Sequence, residues 1–436
     1  MSVDGLAPRW AAFKALQEWR RKGGYLQDHL QAPVTELEER DRGLAWELAF
    51  GVCRNYRRLL SVIETFTAGS PPKVQVELSL MLGLYQIFFL DRVPAHAAVH
   101  VTVDLARKVG GDGAARLTNA ILQRSIREGM PKLSSDPVQA LAMEFSLQDW
   151  LVAKWIRESK GDVAGVRTRL EYLRKVPGQW IRLHRPRAEA VEFLQRMELT
   201  DARVWRERWI EVGSRVGALL HSQEFQQGLF SVQNPASQLL ADLLGVQKEE
   251  RVWDACAAPG GKTALLLESE PTIKMLASDC DADRLKSMGD LHRRLHLPNF
   301  RIEVCDASKP AAEWKFDKVL LDVPCSNLGV MARRPEVGLR LDRRSYEEVV
   351  KRQRRILEGA SQAVVPGGVL VYATCSPEPE ETDGLIRDFL GAHPEFLLDD
   401  ASERVEARFV KDSCVRAFDA EMGFDAFFGA RLRRVL

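Results

Sequence analysis

Five short apolar runs in the second half of the chain, at 251–253, 275–278, 301–304, 319–321 and 369–372, alternate with stretches of helical periodicity. Runs of that length bounded by Gly, Pro and Asp suit buried strands, and strands that alternate with helices build a doubly wound parallel sheet. The carboxyl ends of such strands share one edge, which is where open α/β sheets hold ligands. The residues that follow each run are therefore the informative ones. After the first comes Asp254-Ala255-Cys256-Ala257-Ala258-Pro259-Gly260-Gly261-Lys262-Thr263, after the second Asp279, and after the third Cys305-Asp306. The fourth leads into Asp322-Val323-Pro324-Cys325-Ser326 and the fifth into Ala373-Thr374-Cys375-Ser376, with a helix predicted between them over 345–364. If those two strands are neighbours, about 4.8 Å apart, one site can use both sulfurs.

The first third of the chain has a different period. Trp10, Phe13, Leu16 and Trp19 form a helical stripe that ends at Gly23-Gly24, with Pro8 suited to a first turn. Leu44, Leu48, Val52, Tyr56, Leu60 and Ile63 make a second, and further stripes over 76–90, 97–109 and 117–126 complete an all-helical bundle. Its polar face carries Arg54, Arg57, Arg58, Arg107, Lys108, Arg116, Arg124 and Arg127, suited to phosphate or simply to solvent. The Pro, Ser and Gly content of 129–137 reads as a linker, which predicts that a fragment starting near Leu141 folds by itself. Beyond it the pattern is mixed: helix over 147–158, strand over 178–184, helix over 187–197, strands and turns over 205–220. The closing run, 424–435, reads as an antiparallel edge strand.

With 436 residues the chain needs several domains. Its formal charge of +1 confines any nucleic-acid surface to a local patch, such as the basic run from Arg333 and Arg334 into the predicted helix. Seven cysteines with no Cys-x-x-Cys spacing fit a reducing compartment and predict no metal. The first ten residues lack the apolar core of a signal peptide and no long uncharged apolar stretch follows, so a cytoplasmic location without membrane contact is expected. Gly261-Lys262-Thr263 looks like the end of a P-loop, but Cys256 stands where that motif needs its first Gly, and Pro259 withholds an amide. The small residues of this loop instead let backbone pass close to a ligand. A carboxylate closing the second strand can accept both hydrogen bonds of a ribose diol, which suits Asp279. Singly, Asp279, Asp306 or Asp322 could instead cap a helix or a turn.

The glycine loop, with Asp-Val-Pro-Cys325-Ser and Thr-Cys375-Ser downstream, resembles the RNA 5-methylcytosine methyltransferases. Nearly the full length is similar to the bacterial 16S rRNA cytosine-C5 methyltransferases of the Sun/Fmu type, and the N-terminal part resembles the helical RNA-binding domain of the NusB antitermination factor. The resemblance implies an all-α NusB-like bundle (1–135), a small α+β module that helps grip RNA (136–228), and an α/β Rossmann-like class I methyltransferase domain (229–436). It implies S-adenosylmethionine as cofactor, with Ala255, Cys256, Ala257, Ala258, Pro259, Gly260, Gly261, Lys262, Asp279, Asp306 and Asp322 at its site. Asp306 would lie beside the adenine amino group, and Lys262 would hold the cofactor carboxylate or RNA backbone.

Cytosine C5 is a poor nucleophile, and a thiol added at C6 activates it. By resemblance Cys375 is that nucleophile, Cys325 assists loss of the C5 proton and release of the enzyme, and Asp322 bonds the N3 and N4 edge, where charge develops. A free thiol titrates near about 8.5, so Cys375 needs a lower pKa or a substrate-assisted proton transfer. The implied partner is RNA, 16S rRNA first, bound by a monomer, with Arg333 and Arg334 on phosphate and the target base extruded from its stack. A tRNA cytosine is the alternative substrate. A noncatalytic RNA-binding assembly factor is the rival from another class, and intact Cys325, Cys375 and Asp322 speak against it. The chain departs from its family at Leu183-His184-Arg185-Pro186, where a Val-Asn strand end and Thr are usual, and at Asn327, where a small residue is usual.

Overall fold

The computed structural model describes residues 5–67, 70–184, 190–417 and 423–435. They pack as two units, Met1–Arg174 with Arg333–Arg343, and Lys175–Ala332 with Arg344–Leu436. The first unit is helical: α1 (Leu6–Lys22), α2 (Leu26–Val34), α3 (Glu39–Arg54), α4 (Tyr56–Phe66), α5 (Val74–Phe89), α6 (Ala95–Glu128), α7 (Pro137–Phe145), α8 (Asp149–Glu158) and α9 (Val163–Arg174). The predicted stripes are its core, with Phe13, Leu16, Leu48, Val52 and Leu82 buried together. α1 ends where the Gly23 N–H closes on the Trp19 carbonyl, and α6 is broken at Gly111, between the two stripes expected there.

Helices α7 to α9 belong to this bundle, so residues 136–174 lie with the helices and not with the small module expected to begin at 136. The Arg57 N–H donates to Ser146 Oγ at 3.2 Å, its guanidinium pairs with Asp149, and Arg174 donates to Asn55 Oδ1 at 2.5 Å. Arg57 is thereby committed to holding α7 and α8, and Arg58 approaches Met143 Sδ, so these two do not form the open phosphate-binding face. Lys108 sits over the Trp10 ring and Arg107 pairs with Asp104 and Asp112. Arg116 and Arg127 remain exposed.

The helical unit also holds α16 (Glu336–Arg340), a piece of chain from the other half of the sequence. Buried Glu336 accepts the Leu26 N–H at 3.2 Å, the Gln148 N–H donates to the Gly338 carbonyl at 3.0 Å, and Trp150 Nε1 donates to the Leu341 carbonyl at 2.8 Å. A fragment starting at Leu141 keeps 333–343 but loses Leu26 and Gly24, and keeps most of α7 to α9 but loses Asn55, Arg57 and Arg58. Buried groups left without partners are costly. The expected result, against the linker reading, is a fragment whose tryptophan fluorescence reports unfolding at a lower temperature than the intact chain. An unchanged transition would restore independence from the helical unit.

The second unit opens with β1 (Trp180–Leu183), α10 (Val191–Arg196), β2 (Val204–Trp205), β3 (Trp209–Glu211), α11 (Val216–Leu220), α12 (Gln223–Gln226) and β4 (Phe230–Val232). The strands form an antiparallel sheet in the order β2-β3-β1-β4. Phe230–Val232 was expected to open the catalytic domain. It instead completes this small sheet by pairing with β1, because the alternation that places Phe230 in the core matches Leu183 across the ladder. His184, one of the family departures, bonds Glu268 at 2.6 Å and Ser231 at 2.9 Å, beside the buried Arg182–Glu268 pair. Burial lowers the His184 pKa against the pull of Glu268. The departure thus ties the small sheet to the helix after the glycine loop. Arg185 and Pro186 lie outside the described residues.

The main sheet comprises β5 (Arg251–Asp254), β6 (Lys274–Asp279), β7 (Arg301–Val304), β8 (Phe316–Asp322), β9 (Val364–Thr374), β10 (Phe396–Leu398), β11 (Val410–Lys411), β12 (Cys414–Ala417) and β13 (Phe427–Arg434). The order is β11-β12-β13-β9-β8-β5-β6-β7, with β10 also on β13. Strands β5 to β9 are parallel to their neighbours, and β13 enters antiparallel to β9. One apolar layer covers a face with α13 (Ala236–Leu244) and α14 (Gly261–Ser269). The other is covered by α17 (Arg343–Ser361) and α18 (Asp383–Ala392), while α15 (Ala282–Leu295) follows β6. The last strand is not an edge: Phe428, Ala430 and Leu432 are fully buried and β12 and β10 continue the sheet beyond it. Among the described residues no helix is long and apolar enough to cross a membrane, and no cluster of His, Cys, Asp and Glu could hold a metal.

Candidate active site

Strands β8 and β9 are neighbours in register, with Asp322 opposite Ala373, so the turns that leave them rise side by side. Cys325 and Cys375 meet there with Sγ atoms 2.8 Å apart. Asn327, at φ 60°, turns its carboxamide back into the pair: its Oδ1 lies 3.4 Å from Cys375 Sγ and 3.9 Å from Cys325 Sγ, and its Nδ2 donates to the Cys325 carbonyl. Asn tolerates this left-handed conformation better than most residues. Two residues on, Gly329 donates its N–H to the Cys375 carbonyl at 3.0 Å, and a Cβ there would fall 2.3 Å from that oxygen, so only glycine permits the approach.

Asp322 closes β8 and receives the Lys262 ammonium at 2.5 Å, with the Phe427 ring 5.1 Å from the same nitrogen. Burial works against the charge on Lys262, but Asp322 outweighs it and raises the Lys262 pKa, with Asp254 and Cys375 adding to the pull. Lys262 is thus paired with the carboxylate that stands beside the two thiols. The Cys375 thiol is pushed well up by the Cys325 sulfur, by burial, and by the negative charges of Asp322 and Glu381.

The glycine loop after β5 is pinned from both neighbouring strands: Ala255 N–H bonds the Leu320 carbonyl and Ala257 N–H the Ser278 carbonyl. Gly260 caps α14 at φ 102°, a conformation that L side chains rarely adopt, and a Cβ there would press on Met288 and Leu291. Asp254 is buried, its carboxyl pushed up to about 7 by desolvation; Thr263 donates to Oδ2, and Oδ1 has no partner among the described residues. Such an orphaned acceptor invites a cationic ligand or a donor. Asp279 ends β6 nearly fully buried, paired with Arg284 at 3.2 Å, and Arg284 also bonds the Ala258 carbonyl. Asp306 accepts from the Ser308 hydroxyl and N–H, which lower its pKa, and so does the work of a turn. Cys256 packs against the core, where burial holds its thiol well up.

Arg333 and Arg334 lie in the helical unit, where the Arg334 guanidinium stacks 3.9 Å above the Tyr25 ring. Beneath the two cysteines lie side chains that sequence reasoning did not single out: Ser326, Gln353, Ser376 and Glu381, joined in one buried hydrogen-bond network. One signal could have drawn attention to it, the Cys-Ser dipeptide that recurs at both strand ends.

A parallel sheet continued by an antiparallel strand, with a glycine turn after its first strand and an acid at each of the next strand ends, Asp279 among them buried, defines a class I methyltransferase. Residues 241–433 match the family model for 16S rRNA methyltransferase RsmB/F, and residues 6–127 that of the NusB family. The chain is 32% identical to the probable ribosomal RNA small subunit methyltransferase B of Bacillus subtilis, over 97% of its own length and 98% of the relative's. To the ribosomal RNA small subunit methyltransferase B of Pseudomonas putida it is 33% identical, over 98% of each. In fold it is similar to the crystal structure of PH0851, with a TM-score of 0.81 over 100% of both chains at 24% identity. NSun6 from Pyrococcus horikoshii with SFG gives 0.56 over 65% of this chain and 97% of that one at 21% identity. The chain belongs to the RsmB/F family of methyltransferases, joined here to a NusB domain, and its cofactor is S-adenosylmethionine.

The residues present fit that cofactor: a turn of small residues with Gly260 at φ 102°, an Asp254 oxygen with no partner among the described residues, and buried Asp279 one strand away. Asp279→Ala is expected to weaken S-adenosylmethionine by about 1–3 kcal/mol, the cost of leaving buried polar partners unmatched. Calorimetry showing unchanged affinity would move the ribose contact to another residue.

Proposed function

We propose that the protein methylates C5 of a cytosine in small-subunit ribosomal RNA through a covalent adduct between Cys375 and C6. The observation that carries this reading is the pair of thiols, 2.8 Å apart at the ends of two neighbouring parallel strands, beside the Lys262–Asp322 pair. The RNA class comes from the relatives, which are named for the small ribosomal subunit. S-adenosylmethionine would supply the methyl group; the 255–262 loop, Asp254 and Asp279 would hold it, and Asp306 is the candidate for its adenine.

Formation of the Cys375 Sγ–C6 bond moves electron density toward C5 and the N3–C4 edge, and C5 becomes the nucleophile. Asp322, fixed by Lys262, would bond that edge by accepting from the N4 amino group, and the ammonium offsets the negative charge gathered there. After methylation C5 still carries its proton. Cys325 Sγ, next to the nucleophile, takes part in removing it, and the Cys375 Sγ–C6 bond then breaks by elimination. Arg333 and Arg334 are the candidates for phosphate contacts, and the Arg334 guanidinium, placed over the Tyr25 ring, can still present N–H groups to an anion. Bisulfite mapping of ribosomal RNA from cells with and without the gene tests the reading. It expects one small-subunit cytosine to lose protection when the gene is absent, and an unchanged map would overturn it.

A further inference from the structure

We infer that Glu381 is a positioning residue that sets the spacing of the two thiols by gripping the serine that follows each of them. The inference rests on the two-thiol reading above. Ser326 follows Cys325 on the turn after β8, and Ser376 follows Cys375 on the turn after β9. The β8–β9 register brings the two turns side by side, and the Gly329 N–H and Asn327 join them above the sulfurs. Glu381 is the tie below, through the residue next to each thiol.

Its Oε2 accepts the Ser326 N–H at 2.9 Å and Gln353 Nε2 at 2.9 Å. Its Oε1 accepts the Ser376 hydroxyl at 2.5 Å and also the Ser326 hydroxyl, the two serine oxygens standing 3.1 Å apart. Gln353 extends the grip from α17, since its Nε2 also donates to the Pro324 carbonyl at 3.0 Å, one residue before Cys325. The Glu381 backbone is itself held by Tyr372, whose hydroxyl donates to the Glu381 carbonyl from within β9. Glu381, Ser376 and Gln353 are 0% exposed and Ser326 is 4% exposed, so no water competes for these bonds. All four contacts to the carboxylate come from N–H or O–H groups, which fills the acceptor capacity of an ionised carboxylate. A carboxamide in its place would turn an NH₂ toward donors, and an alanine would release both serines.

The role predicts a selective defect. Glu381 touches neither the base nor the cofactor loop, so Glu381→Ala should leave S-adenosylmethionine affinity and the KM for RNA within about threefold while kcat falls by about 100-fold, the scale on which a misplacement near 1 Å acts. A readout independent of turnover is the binding of phenylarsine oxide. Its arsenic forms two As–S bonds as two S–H bonds break and the oxide leaves as water, so tight binding requires two thiols in reach of one atom. The intact chain should bind it through Cys325 and Cys375, with binding lost in Cys325→Ala. Glu381→Ala should weaken it by about tenfold or more by removing the chelate advantage, while iodoacetamide still labels both thiols singly. If Glu381→Ala does not fold, Ser326→Ala with Ser376→Ala removes the same two grips with smaller cavities and is held to the same expectations. Unchanged arsenical affinity, or a kcat within about threefold of the parent, overturns the positioning role. Because the arsenical needs no RNA, it judges Glu381 even if Cys375→Ala proves active and the covalent mechanism fails.

Discussion

Cys375→Ala is expected to abolish methyl transfer, by about ten-thousandfold or more, as loss of a covalent nucleophile does in other enzymes. S-adenosylmethionine affinity should stay nearly the same. The separation of effects follows from the sheet. Cys375 leaves β9, whereas the glycine loop leaves β5 and Asp279 leaves β6, on the far side of β8 in the sheet order. The intact protein should also show adduct formation that accelerates with pH through the neutral range. Cys325, burial, Asp322 and Glu381 all favour the protonated Cys375 thiol, so the thiolate fraction is small and grows with each step in pH. Single-turnover kinetics with substrate RNA check both parts. Turnover retained in Cys375→Ala would remove the nucleophile assignment.

The parallel core was legible because the apolar runs of β5, β6, β8 and β9 are buried on both faces and each ends near a residue with chemistry, whereas β7 at the sheet edge is largely exposed. That pattern located Asp279, Asp322, Cys325 and Cys375 before any geometry was available, and it made β8 and β9 neighbours. Asn327 was visible as a departure, though not that its carboxamide would reach both sulfurs. Glu381 was not legible at all. Pro377-Glu378-Pro379-Glu380-Glu381 holds no apolar residue, yet Glu378 and Glu381 are 0% exposed. A buried carboxylate is specified by its donors, and those come from positions 326, 353 and 376, which no local pattern connects.

The boundaries failed for a related reason. A Pro and Ser stretch at 129–137 is a connection, and composition cannot say whether the helices after it pack backward or forward. Arg57, Arg58 and Asn55 decide that by reaching α7 to α9, and polar contacts of this kind leave no periodic trace. Val410–Lys411 and Cys414–Ala417 are too short to register as strands, so β13 looked like the end of the sheet when it lies inside it. Within the basic run that starts at Arg333, Arg340 donates to the Gly24 carbonyl of the helical unit, a contact with equally little local signature.

Cys325→Ala is expected to trap a covalent complex between protein and RNA. Elimination of the enzyme requires the C5 proton to leave as the Sγ–C6 bond breaks, and Cys325 Sγ, 2.8 Å from the nucleophile, is the thiol placed to take part. Alanine at 325 leaves Cys375 free to attack and its methylated adduct slow to resolve. The substitution also removes one neighbour that raises the Cys375 pKa, so attack should become easier while release becomes harder. Both effects push population into the adduct. A denaturing gel with substrate RNA should show a slow-migrating band for Cys325→Ala, a faint band or none for the parent, and none for the double variant with Cys375→Ala. Multiple turnovers by Cys325→Ala at the parent rate, or no band with RNA that the parent methylates, would assign proton removal to another group.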